Sequence, residues 1–129
     1  MNKVFTVDGT KFSDFYGFCE EFSEKVLSGK YIWRGNLDTV NDIIFGGFGD
    51  IGDGEEYTII WKDSYKSRKD LGYAETICQL KKRLITCHPS SVAAISDDIK
   101  KAENNEGTTV FEWLIEIIRD NYNVTLFLE

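Results

Sequence analysis

Short runs of β-branched and aromatic residues alternate with amphipathic helical patterns along this chain, and that alternation constrains its fold more than any other feature. Val4 to Val7 is a strand candidate ended by Asp8-Gly9. Tyr57 to Trp61 is a second, nearly continuous in apolar residues as a parallel strand buried on both faces would be. Val124 to Leu128 is a third. Between the first two, Phe15, Phe18, Cys19, Phe22 and Val26 recur at helical spacing, with Ser13 as the cap, Asp14 in the first turn and Gly29 at the end. Leu37, Val40 and Ile44 predict a second helix, opening near Asn36 and stopping at Gly46-Gly47. Residues 63–72 are polar and ambiguous, with room for one short helix. Glu75 to Cys87 predicts a helix with Ile77, Leu80 and Leu84 inward, and Pro89 opens another near Ser91 to Ala102. Val110 to Arg119 carries Phe111, Leu114, Ile115 and Ile118 as a buried stripe. Strands separated by helices imply an α/β fold, a single layer of three parallel strands joined by right-handed crossovers. With no repeat or linker, residues 1–129 read as one domain.

Charge and cysteine usage narrow the setting. The formal charge is −7 and the pI about 4.7, which argues against direct binding of nucleic acid and fits docking on a basic partner. Three cysteines, Cys19, Cys78 and Cys87, form no disulfide framework and suit a reducing compartment. No apolar run is long enough to span a bilayer. The expectation is a cytoplasmic protein with no membrane contact.

Sites of chemistry are hard to assemble from these residues. Gly47 to Gly52 has dinucleotide-fingerprint spacing but follows a helix and precedes a strand, the reverse of the required context. Asp50, Asp53, Glu55 and Glu56 lack the spacing of a calcium loop and read as a flexible acidic loop. His88, the single histidine, has neither zinc-ligand spacing with Cys78 and Cys87 nor a nucleophile motif around it. The expectation is no cofactor, no metal and no enzymatic activity. A small acid–base hydrolase built on paired carboxylates is the distant alternative.

The segment Trp33-Arg34-Gly35-Asn36-Leu37-Asp38 reads as a turn feeding the second helix. Asp38 and Asp42, four apart, stack on one exposed side and repel each other by about 0.2–0.5 kcal/mol. Helix-start stabilisation accounts for Asp38 but leaves Asp42, a full turn further in, unexplained. In the last helix Glu112, Glu116 and Asp120 step along one face, and the helix dipole disfavours Asp120 near the C-terminus by about 0.3–1 kcal/mol. Such pairs are mildly costly to the free protein and useful against a cationic partner.

At Asn36, Leu37, Asp38 and Asp42 the chain resembles the barstar family of intracellular ribonuclease inhibitors, in which a tyrosine-glycine turn leads into an Asn-Leu-Asp helix with a second Asp four residues later. The opening strand and helix around Asp8-Gly9, and the closing helix and strand from Val110 to Leu128, resemble the ends of that family. The resemblance implies a barstar-like fold with a small parallel three-stranded sheet. It also implies a monomer that inhibits a basic barnase-type ribonuclease in a 1:1 complex. Asp38, Asp42, Glu116 and Asp120 would take the place of substrate phosphates, with Trp33 and Asn36 adding packing and hydrogen bonds in the turn. The chain departs from the family at Asn41, where a tryptophan precedes the second aspartate, at Ile32 and Trp33, which match tyrosines, and at Arg34. Its middle, at residues 46–54 and 63–104, is longer. A barstar-fold interaction domain with a partner other than a ribonuclease is the alternative reading.

Overall fold

The computed structural model describes residues 3–33, 39–49 and 51–129. Its strands are β1 (Lys3–Asp8), β2 (Tyr57–Lys62) and β3 (Val124–Leu128). Its helices are α1 (Phe15–Lys25), α2 (Val40–Phe45), α3 (Ser64–Asp70), α4 (Tyr73–Thr86), α5 (Val92–Glu103) and α6 (Val110–Asp120). The strands form one all-parallel sheet in the order β1-β2-β3, with Lys3 opposite Tyr57 and Tyr57 opposite Val124. This is the α/β architecture that the alternation of patterns predicts.

One face of the sheet carries the core. Tyr57, Ile59 and Trp61 of β2 are buried there, flanked by Val7 and Val124. The other face is half-open: Val4 is 58% and Phe127 54% exposed, and Thr58 and Ile60 lie partly accessible between them. The apolar run of β2 therefore does not mark a strand buried on both faces. It marks the central strand of a sheet with helices on one side.

Helix α1 delivers most of the aromatic filling. Its cap is Asp14, whose carboxylate accepts from the Gly17 amide at 2.7 Å, so the helix opens one residue later than the Ser13 reading predicts. Glu75 of α4 accepts from the Phe15 amide and satisfies a second N-terminal donor. Phe15, Phe18 and Phe22 are fully buried, and Phe18 stacks on Trp61 with ring centroids 5.0 Å apart.

Residues 63–72 contain α3, and Pro89 opens a 3-10 turn that runs into α5. In α4 the buried residues are Thr76, Gln79 and Leu80, while Ile77 and Leu84 are only half-buried. The inward stripe is rotated from the apolar one because Thr76 is paired on both sides. Its hydroxyl donates to Gly72 O at 2.8 Å and accepts the Val110 amide at 2.9 Å, which locks α4 to the start of α6. Leu80, Ile95 and Ile99 form a second, smaller apolar cluster between α4 and α5.

Candidate acidic face on α2 and α6

Helix α2 has six residues, too few to stand alone in water. Its neighbours hold it at both ends. Before it, the Trp33 amide donates to Ser23 Oγ at 2.8 Å and the indole Nε1–H donates to Thr39 Oγ1 at 3.0 Å. Thr39 is the residue on which α2 starts. After it, the Tyr57 hydroxyl donates to Ile44 O, and Asn123 Nδ2 and the Gly54 amide donate to Phe45 O. Gly46, at φ 122°, then turns the chain away. Val40, Ile43 and Ile44 face the core, leaving Asn41 and Asp42 exposed.

Helix α6 lies against α2. It is capped by Thr109, whose hydroxyl accepts from the Glu112 amide, and it buries Val110, Phe111, Leu114, Ile115 and Ile118. That stripe is the predicted one with Val110 added. Glu112, Glu116 and Asp120 are exposed. Asn121, buried at the end of the helix, donates from Nδ2 to Asn41 Oδ1 at 3.1 Å and to Ile117 O at 2.8 Å. Asp42 follows one member of this Asn41–Asn121 bridge and Asp120 precedes the other. The bridge thus brings two of the expected site residues to adjoining positions on neighbouring helices, with Glu116 one turn further along α6.

Three expectations need adjustment. Asn36 and Asp38 lie outside the described residues. Trp33 is only 3% exposed and meets Phe15, Phe18 and Phe22 edge-on, so it is a core residue and not a surface contact. An indole ring surrounded by three phenyl rings is more stable there than at a wet surface. Asp42 sits in the first turn of α2, because the described helix opens at Val40. Its carboxylate is favourably placed near the helix start, so the helix-start account reaches Asp42 as well.

Asn41 and Thr39 are positional residues: in the sequence Asn41 stands out only as a departure from the family, and Thr39 does not stand out at all. Both are short polar side chains, and nothing in their local pattern signals that their partners stand eighty residues away and six residues back. Elsewhere, burial pushes the Cys19 thiol well above its ordinary range, leaving it inert at neutral pH. Among the described residues no group of His, Cys, Asp and Glu is arranged to hold a metal ion, and no helix is long and apolar enough to cross a membrane. The chain matches no family model, no curated protein and no solved structure.

Proposed function

We propose that this chain is a barstar-like inhibitor that covers the active site of a small basic ribonuclease with the acidic face of α2 and α6. The observation that supports the reading is the Asn41–Asn121 bridge, which joins α2 and α6 at the residues next in sequence to the exposed Asp42 and Asp120. The three-stranded parallel sheet under these helices accords with the fold that the resemblance implies. Carboxylates in this arrangement meet the cationic groups that a ribonuclease aims at substrate phosphates. Complementary charge speeds the encounter and sets its register, and pairs that become buried add affinity. The reading assigns the protein no hydrolase activity of its own and a 1:1 complex in the cytoplasm.

Titration against a barnase-type ribonuclease tests this. Asp42→Ala should weaken inhibition, while Asp97→Ala, on the exposed side of α5, should leave it unchanged. The association rate should fall steeply with salt, since exposed charges are screened beyond about 8 Å at physiological ionic strength. Asp42→Ala should cost the free protein only about 0.3–1 kcal/mol through the lost helix-start interaction. Equal effects of the two substitutions would mean that net charge, and not this face, carries recognition.

The second reading, an interaction domain with another partner, draws on Asn41 and on the longer middle region. Asn41 is committed to Asn121 inside the molecule, and α4 and α5 form an arm with its own apolar cluster. A folded protein that leaves the ribonuclease fully active would favour it.

A further inference from the structure

The charges of this acidic chain are segregated. Residues 62–101 hold nine of the fifteen Lys and Arg residues but only five of the twenty-two Asp and Glu residues. That span runs from β2's last residue through α3 and α4 to Lys101 in the last turn of α5. Within it, the outer face of α4 presents Cys78, Lys81, Lys82 and Ile85 at i, i+3, i+4 and i+7, all exposed, with Ile85 at 84%. Lys82 Nζ lies 4.5 Å from the Tyr16 ring centroid, which steadies its ammonium at the surface. At the tip of the α4–α5 arm, Val92 is 42% exposed. A helix face with two lysines beside a bare isoleucine calls for an acidic, partly apolar helix.

The chain carries such a helix itself. The exposed side of α6 sets Glu112 and Glu116 four apart, beside the half-buried Trp113 and Ile117. We propose that the outer face of α4 docks a second copy of this chain through the acidic stripe of that copy's α6. The two surfaces sit on different helices. Made reciprocally, the contact closes a two-fold dimer; made once per pair it is head-to-tail and grows into rings or open chains. A single helix face falls below the area of stable interfaces, so the association is weak and depends on concentration. The acidic stripe is the one assigned above to a basic partner, so the proposal rests on that reading for one of its two surfaces. A ribonuclease bound there would break the chains.

Sedimentation equilibrium of the full chain in reductant is the test. The mean mass should rise above 14.8 kDa with concentration. Lys81→Ala with Lys82→Ala, and separately Glu112→Gln with Glu116→Gln, should each lower the association constant about tenfold or more. The glutamine pair is the sharper probe, because it reduces the overall repulsion between copies and should still weaken their contact. An equimolar mixture of the two variants retains one intact contact and should form 1:1 pairs that grow no further. A monomer at every concentration overturns the proposal. So does association that neither variant changes, which would move the contact to another surface such as the half-open sheet face. Association seen only without reductant would be a disulfide through Cys78 or Cys87 and overturns it too. Ribonuclease titration of the alanine variant keeps the two readings apart: it should still inhibit, whatever its self-association does.

Discussion

The aromatic cluster under the sheet and the small cluster in the α4–α5 arm are built on different principles. The first gathers side chains from β1, α1, α2, β2, α6 and β3 around Trp61 and Trp33. Every element that carries the acidic face contributes to it. The second joins Leu80 of α4 to Ile95 and Ile99 of α5, with Leu84 and Cys87 at its edge. It closes one helical hairpin and reaches the rest of the molecule through polar and cation–π contacts: Thr76 and Glu75 at the start of α4, Lys82 on the Tyr16 ring and Arg83 on the Trp113 ring. The apolar packing of α2 against α6 therefore belongs to the large cluster, and the small one meets α6 only through contacts such as Thr76 on the Val110 amide and Arg83 on Trp113.

The strongest way to break this contrast is Trp33→Ala. It empties space among three phenyl rings and removes the indole N–H that donates to Thr39 Oγ1, while the backbone amide that donates to Ser23 Oγ remains. A loss of about 3–5 kcal/mol is expected in chemical denaturation. Amide exchange in α2 should rise with it, since the start of α2 loses its anchor.

Leu80→Ala should cost less, about 2 kcal/mol, because its surroundings are partly open and collapse more readily. Its exchange signature should stay within α4 and α5, and the ribonuclease inhibition proposed above should be unchanged. Raised exchange in α2 would show that the two clusters are coupled and would end the contrast drawn here.

The smallest effect is acid sensitivity. Hydrogen bonds from the Gly52 amide and Lys3 hold the Glu55 carboxyl below its ordinary 4.5, and hydrogen bonds from the Thr10 hydroxyl and amide hold Asp8 below 3.8. A carboxyl whose folded pKa is lowered stabilises the fold above its ordinary value. That contribution disappears as pH falls through the folded value. Stability measured by denaturant should thus decline from about pH 4.5 downward, and Glu55→Gln should flatten the upper part of that decline. Both groups belong to the ends of the sheet, so the loss reports on the large unit and not on the arm.

How far the sequence could be read follows the same division. Where burial is apolar and periodic, as in α6 and the three strands, the pattern alone places the elements to within a residue or two; in α1 it places the start but overruns the end, which falls at Lys25 and not at Gly29. Where burial is polar, it misleads. Thr76 and Gln79 turn the inward side of α4 because a hydroxyl with two partners is satisfied in the interior, and apolar spacing cannot register that. The acidic face is legible in part. Asp42, Glu116 and Asp120 are exposed as their spacing predicts, and α2 and α6 pack together. What sets their mutual position, the Asn41–Asn121 bridge, joins residues with no local pattern between them. Trp33 enters the expected site through the resemblance, and its own segment does not show that its core partners come from α1.

The parallel order β1-β2-β3 has a consequence for how the chain comes into being. Lys3 waits for Tyr57, and Tyr57 waits for Val124, so no strand finds its partner among its near neighbours in sequence. Contacts of such long range make folding slow. On a ribosome, the first strand and the phenylalanine-rich α1 emerge well before the strand that covers them. Phe15, Phe18 and Phe22 then stand bare until the middle of the chain follows. That interval is when this protein is most open to aggregation, and when a chaperone that grips aromatic segments would have most to hold.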